Sequence, residues 1–429
     1  MSQRATAVLF IVACTGFFAM TLNWFDLSAG SASLTHQFHV GVSSLALMVS
    51  LFLSGYGVFH LPAGVWVRRY GIRRVAVTGL VVESLAAGVL GFAPDVLAVW
   101  SLRFIAGAGA ALVAGAELAL VTRLFRAHHL ARAQSVASSA VYGLGALTGL
   151  GLWRPLVQHW GAADAFLLAG LVGLGIAGLH WAVLPDEAPQ SAPHDTWPAL
   201  QRVLRQRNLW WIGLGSMGGY GVYFTLSQLG PATVAATFHV DTPTSFYGEA
   251  MVAAGILGAL IGGYWSDVRH TRKGFILGPG LALAGWVLLW PHLGGSFALP
   301  GFMVTGFLAM LPRPAYTATP GDDRHHIPAQ DVATAEGVVF TLLGIGGAVL
   351  PVLFGVTTAT FGGTTAWDAL GVATLVCALG ALPMRDVFVL QTAPRPVDRR
   401  SSRRTTERPI AGQRGGADLT REHDSTPHR

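Results

Sequence analysis

The residues of this sequence best suited to chemistry are ionisable side chains that interrupt long apolar stretches. Glu83 and Arg103 are the most prominent, at eleven residues before and nine residues after Pro94. At about 1.5 Å per helical residue, both lie roughly 15 Å from that turn, so two antiparallel helices would pair them. The pair is either structural, because it avoids two isolated charges, or functional, with protonation of Glu83 releasing Arg103 for an anion or a coupling step.

Two further charged positions carry similar alternatives. Asp26, beside Asn23 near the end of the first apolar stretch, is either a proton acceptor or a solvated helix end. Arg313 lies in the segment PRPAY, where two prolines break the helix. Broken helices border binding sites in membrane proteins, and an interfacial basic residue is the alternative.

Polar aromatic and amide side chains in the apolar stretches are candidates to line a cavity. The alternative for each is packing or anchoring at the membrane interface. These candidates are Tyr56, Tyr142, Tyr220, Tyr223, Gln228 and Tyr316.

The composition predicts the elements that position these residues. Of the 429 residues, 52% are hydrophobic and only 12% are charged, with a mean hydropathy of +0.50. A soluble chain carries roughly 25% charged residues, and a helix of about 20 apolar residues crosses the hydrocarbon core of a bilayer. We therefore expect an all-α polytopic membrane protein, with twelve spans near 5–27, 43–67, 74–93, 96–123, 134–156, 163–184, 208–230, 244–266, 274–293, 297–318, 331–357 and 362–384.

One long polar interruption divides these spans into six and six. The sequence predicts a first six-helix bundle over 1–184, a cytoplasmic linker over 185–207, a second bundle over 208–385 and a disordered basic tail over 386–429. Basic residues cluster in alternate loops, at 68–74, 123–132, 202–207 and 269–273, whereas the opposite loops contain only Arg154. Because cytoplasmic loops are enriched in Lys and Arg, we expect both termini in the cytoplasm and the chain in the plasma (inner) membrane.

Five short segments resemble motifs of the major facilitator superfamily. The family carries Gly-x-x-x-Asp-Arg-x-Gly-Arg-Arg between spans 2 and 3, and related patterns occur in spans 4, 7, 8 and 11. Here the segments RFIAGAGAA, RQRNLWW and LGIGGAVLPVLFG are similar to the family patterns of spans 4, 7 and 11. The loop motif and its echo in the second half fall on Gly64, Arg68, Arg69, Gly71, Arg73, Gly263 and Asp267.

The resemblance implies alternating access by two rocking bundles, with a substrate site among spans 1, 4, 7 and 10. It implies a transporter and not an enzyme, acting as a monomer on a small molecule and protons within the lipid bilayer. No Gly-x-x-x-x-Gly-Lys-Ser/Thr motif is present, so we expect a proton gradient as the energy source, with no cofactor, metal or nucleic acid.

Arg68 departs from the family motif, which has Asp at this position. In the family, that acid holds the two bundles together near the start of span 11. The sequence offers acids there instead, so we predict that Arg68 pairs with one of them and that the latch has reversed polarity. The candidates are Asp322, Asp323, Asp331, which we also expect to cap span 11, and Glu336.

The sequence is compatible with three functions. Span 5, YGLGALTGLGLWRPL, lacks the Gly-Pro pair of the family's drug–proton antiporters. This favours a proton-coupled symporter that takes up a small organic solute, such as an anion held by Arg103. The alternatives are a proton-coupled efflux antiporter and a receptor-like member that does not transport.

Overall fold

The structure is a computed structural model that describes residues 2–125, 127–186, 196–238 and 246–387. Helices occupy all twelve expected places within this part of the chain. Residues 187–195 of the linker and 388–429 of the tail lie outside the described residues, and so does the predicted disorder of that tail. The spans are Gln3–Phe38, Val42–Tyr70, Ile72–Gly88, Val96–Leu124, 127–160, Ala162–Val183, Arg207–Gln228, Tyr247–Val268, Lys273–Leu289, 298–322, Val332–Phe361 and Gly363–Leu379.

Ten of these helical segments have the length and hydropathy needed to cross a bilayer. Span 12 is a shorter apolar helix of 17 residues. Span 7 does not reach the same hydropathy, because tyrosines, glycines and polar residues make up much of its length. A short helix of the linker, Thr196–Leu204, precedes it.

Span 1 extends eleven residues beyond the predicted end at residue 27. It begins after Ser2, whose hydroxyl accepts a hydrogen bond from the Ala5 amide, and ends at His39 in a left-handed conformation. Helix hydrogen bonding therefore continues through the polar segment after Leu27, where hydropathy predicts an end. Asp26 consequently lies inside the helix and is fully buried, so its interpretation as a solvated helix end is wrong.

Spans 5 and 10 are irregular. Span 5 consists of the α-helices Ala127–Ser135, Tyr142–Leu147 and Arg154–Trp160, joined by π-helical segments at Val136–Val141 and Thr148–Leu152. Span 10 consists of Ala298–Met310 and Arg313–Asp322, and Pro312 caps the second helix. The break that the prolines predict is therefore present, because Pro lacks the amide hydrogen that a continuous helix needs.

Glycines allow the spans to approach closely, both within and between the two halves. A Cβ on Gly107 of span 4 would lie 1.9 Å from the backbone oxygen of Phe52 in span 2. Across the halves, a Cβ on Gly57 of span 2 would lie 2.8 Å from the Cα of Gly344 in span 11. Small-residue faces of this kind replace the hydrophobic effect in helix association within lipid.

Candidate functional site

A buried arginine surrounded by tyrosines lies between the two halves. Arg313 is 1% exposed, and its guanidinium carbon lies 4.3 Å from the ring centre of Tyr142. Its Nε donates a hydrogen bond of 2.8 Å to the backbone oxygen of Ser138, whereas Nη1 has no hydrogen-bond partner. The alternative of an interfacial basic residue is therefore wrong.

The tyrosines of this cluster come from both halves of the chain. The phenols that interact electrostatically with Arg313 belong to Tyr56 of span 2, Tyr142 of span 5, Tyr220 of span 7 and Tyr316 of span 10. The hydroxyl of Tyr142 is buried and has no hydrogen-bond partner, whereas that of Tyr220 interacts with Tyr56. We call Arg313 and these four tyrosines the central cluster.

The break in span 10 adds the positive end of a helix dipole to the charge of Arg313 in the central cluster. Arg313 is the first residue of the second helix of that span, so its backbone lies at the positive end of the helix dipole. No carboxylate lies within 4.0 Å of its guanidinium among the described residues. The guanidinium, the helix terminus and the free hydroxyl of Tyr142 together favour an anion at this position.

A second buried cluster lies within the first half. Asp26, Glu83 and Arg103 are fully buried, and the charge of Arg103 interacts with both acids. Arg103 donates a hydrogen bond of 3.2 Å to the backbone oxygen of Trp24 and lies 4.5 Å above the ring of Phe52. We call Asp26, Glu83 and Arg103 the acidic cluster.

The direct ion pair expected between Glu83 and Arg103 is not formed. Neither carboxylate oxygen of Glu83 has a hydrogen-bond partner, whereas the Asp26 carboxylate interacts with the backbone of Leu27. Asn23 beside them donates only to Ser84, at 3.4 Å. The equal depth of Glu83 and Arg103 therefore does not bring them into contact, because the guanidinium turns toward span 1.

Arg68 pairs with Asp331, which confirms that Arg68 meets an acid near the start of span 11. Its Nη1 lies 2.5 Å from Asp331 Oδ1, and the two side chains are 5% and 0% exposed. Arg202 of the linker helix binds the other oxygen of Asp331 at 3.0 Å. Asp331 occupies the predicted N-cap position of span 11, but its side chain makes no capping hydrogen bond, because both of its oxygens bind arginines.

The other residues of the loop motif have separate contacts. Gly64 is needed for close approach, since a Cβ there would lie 2.2 Å from the backbone oxygen of Ala333, and Gly71 has a φ of +84° that favours glycine. Arg69 is exposed above the ring of Tyr70. Arg73 lies 3.2 Å from Asp186.

The second half carries a related contact with the polarity usual for the family. Asp267, in the last turn of span 8, accepts a hydrogen bond of 3.0 Å from the backbone amide of Arg132 at the start of span 5. It also pairs with Arg272 at 2.8 Å, and Arg272 pairs with Asp322 at 2.7 Å. We call the Arg68–Asp331 contact the first latch and the Asp267–Arg132 contact the second latch. Glu336 belongs to neither, because its carboxylate accepts a hydrogen bond from Thr122 at 3.1 Å.

The opposite end of the bundle contains a polar vestibule of about 560 Å³. Arg154 of span 5 and Glu249 of span 8 form a salt bridge of 2.7 Å across it, between the two halves. Gln228, a predicted site residue, lines this vestibule and does not belong to the central cluster. Ser28, Ser31 and Gln158 are among the other lining residues.

The structure thus divides the predicted site residues among three places. Tyr56, Tyr142, Arg313 and Tyr316 meet in the central cluster with Tyr223 nearby, whereas Asp26, Glu83 and Arg103 meet in the acidic cluster beside Asn23. Sequence reasoning missed Arg202 as a partner of Asp331. The amphipathic pattern of TWPALQRVL would have indicated a helix that lies against the bundle.

A polytopic helical membrane fold with a buried polar cluster between two six-span halves is typical of secondary transporters. The family model of the Major Facilitator Superfamily matches residues 9–323. The chain belongs to this superfamily.

Comparison with known proteins agrees with this assignment. The chain is 23% identical to the probable sulfoacetate transporter SauU of Cupriavidus necator, over 80% of this chain and 85% of that one. It is 26% identical to the probable anion transporter 4 of Arabidopsis thaliana, over 56% and 52%. Its fold is similar to that of the transporter FucP in the outward conformation, with a TM-score of 0.68 and 17% identity over 89% and 99% of the two chains.

The matched lengths vary among the relatives. The chain spans 66% and 64% of the length of two uncharacterised transporters, from Rickettsia bellii and Bacillus subtilis, to which it is 24% and 23% identical.

Proposed function

We propose that this protein moves a small organic anion across the membrane by alternating access, with Arg313 as the residue that binds the anion. One observation carries the proposal: Arg313 is buried between the two halves, and no acid compensates its charge among the described residues. An isolated charge in the membrane interior costs several kcal/mol. A carboxylate or sulfonate that binds there offsets this cost and accepts a hydrogen bond from the free hydroxyl of Tyr142.

The relatives support this substrate class. The names of the Cupriavidus necator and Arabidopsis thaliana proteins describe a probable sulfoacetate transporter and a probable anion transporter. Arg103, the arginine that the sequence analysis selected for the anion, is a weaker candidate. Two acids already interact with its charge, whereas the groups that interact with the charge of Arg313 are tyrosines and His60 and include no acid.

The acidic cluster is the proposed site of proton coupling. With Asp26, Glu83 and Arg103 all ionised, its net charge is −1, and one proton makes it neutral. Because both carboxylate oxygens of Glu83 are buried without hydrogen-bond partners, the proton has a place to bind. This supports proton symport, with the proton gradient driving uptake.

The proposed orientation places both termini in the cytoplasm of a plasma (inner) membrane, with a monomer as the working unit. The basic loops support it. The halves 1–184 and 208–385 then rock about the central cluster, so that the two latches close its cytoplasmic side.

Uptake into proteoliposomes tests the proposal. We would assay a panel of small carboxylates and sulfonates with and without an inward proton gradient, comparing the wild-type protein with R313Q and, as a control, R74Q, which alters an exposed arginine. The expected result is gradient-driven uptake that R313Q abolishes and R74Q leaves unchanged. Uptake unaffected by R313Q contradicts the assignment of the anion site.

The same assay separates the alternatives. Proton-driven extrusion supports an antiporter. This alternative is favoured by the similarity to a multidrug resistance protein of Mycobacterium tuberculosis, which is 29% identical over 38% of this chain and 30% of that one. Absence of flux for every solute supports the receptor-like alternative. If the carrier is active, the E83Q variant tests the coupling acid. Transport by E83Q that no longer depends on the proton gradient supports Glu83 as the coupling acid, whereas normal proton coupling in E83Q contradicts that role.

A further inference from the structure

Three aromatic rings stack across the boundary between the two halves. Trp24 of span 1 is stacked between Phe52 of span 2 and Phe224 of span 7, with 4.4 Å between ring centres on each side. The planes of Trp24 and Phe224 differ by 7°, and all three side chains are completely buried. We call Trp24, Phe52 and Phe224 the aromatic layer. It joins the halves through the contact between Trp24 and Phe224.

Helical spacing on span 7 places the aromatic layer between the central cluster and the vestibule. Tyr220, Phe224 and Gln228 follow at intervals of four residues, so they share one face at steps of about 6 Å along the axis. Tyr220 belongs to the central cluster, and Gln228 lines the vestibule. Phe224 lies between them, with its ring centre 4.7 Å from that of Tyr220.

Spans 1 and 5 give the same order independently. On span 1, Ser28 lines the vestibule one turn beyond Trp24. On span 5, Tyr142 lies under Arg313, and Leu150 and Arg154 line the vestibule eight and twelve residues later. Tyr142 also meets the ring of Trp24 edge-on at 6.2 Å. All three spans therefore place the aromatic layer between the vestibule and the central cluster.

We propose that Trp24 and Phe224 form the gate between the vestibule and Arg313. One ring belongs to each half, so separation of the halves at this end parts the stack and opens a path to the guanidinium. The stacking of two aromatic rings is weak enough for a conformational change to separate them. The Arg154–Glu249 salt bridge lies on the vestibule side of this gate and also joins the halves.

The gate depends on ring size and not on the identity of the substrate, so its test measures accessibility without transport. We would replace Cys14 and Cys377 by alanine, introduce a single cysteine by Y220C or Q228C, and measure its rate of reaction with a membrane-impermeant maleimide added from the vestibule side. With an intact gate, the cysteine from Q228C reacts quickly and that from Y220C slowly.

Removal of either ring of the gate should expose the cysteine introduced by Y220C to the reagent. W24A and F224A should each raise the reaction rate of the Y220C cysteine by about tenfold or more, which corresponds to about 1.4 kcal/mol, and leave that of the Q228C cysteine unchanged. W24F retains a ring and should keep the rate low. The matched control is F17A, which truncates a buried ring two turns away on the same span.

Three outcomes would overturn the proposal. One is a Y220C reaction rate that W24A and F224A leave unchanged, and another is an equal increase in F17A, which would show general loosening. The third is fast reaction of the Y220C cysteine with both rings present. Because no outcome requires transport, the gate stands or fails separately from the anion site at Arg313.

Discussion

Removal of the Arg68 side chain should favour the state in which the end of the bundle that carries the latches is open. Arg68 and Asp331 meet at 2.5 Å with almost no solvent exposure. Two charges about 4 Å apart interact by about 4 kcal/mol at an effective dielectric constant of about 20. Truncation of one member of a buried charge pair costs about 2–5 kcal/mol.

The expected shift lies at the lower end of this range, because R68A leaves Asp331 with one arginine. Arg202 remains 3.0 Å from its other oxygen, and that side chain is 50% exposed. We therefore expect a shift of about 2 kcal/mol, or about thirtyfold in the ratio of open to closed states. The double variant R68A/R202A should shift it further, since Asp331 then has no arginine.

Hydrogen–deuterium exchange in the first turns of span 11 measures this shift. Amide exchange tracks the population of the open state, so the amides after Asp331 should exchange about thirtyfold faster in R68A. R69A is the matched control, because it removes the same charge from an exposed neighbour whose contact is the ring of Tyr70. Equal exchange in R68A and R69A would refute the reasoning.

Other variants test separate parts of the structure. G107A should lower the thermal unfolding temperature in detergent, because its Cβ would overlap the Phe52 backbone, whereas G175A in span 6, with no atom within 4 Å of its Cβ, should not. D267A should open the second latch. If the two latches are independent, the changes in hydrogen–deuterium exchange caused by D267A and R68A, converted to free energies, should add to within about 0.5 kcal/mol in the double variant. A double variant no more shifted than either single one would contradict that independence.

The sequence predicts the twelve spans because lipid acts as a uniform solvent that every crossing helix must satisfy. The end of span 1 is different. Beyond Leu27 the chain has left its apolar stretch, and helix continuation depends on local hydrogen bonding and the left-handed residue His39. Hydropathy contains no information about such an end.

The contacts within the sites also differ in whether the sequence can predict them. Arg68 and Asp331 are predictable partners, because sequence position restricts both to one end of the bundle and opposite charges there attract. The stack of Trp24 and Phe224 is not predictable, since it depends on how each helix is rotated about its axis. That rotation follows from contacts between distant spans, such as the glycine approach of span 2 to span 11.

The two π-helical segments of span 5 affect how this chain aligns with its relatives. A π-helical turn closes its hydrogen bond over one residue more than an α-helical turn. Deletion of one residue within Val136–Val141 or Thr148–Leu152 can thus restore an α-helical turn and keep both flanks in register. An alignment that forbids gaps inside membrane spans would misplace either Tyr142 or Arg154 by one position, a rotation of about 100° on a helix.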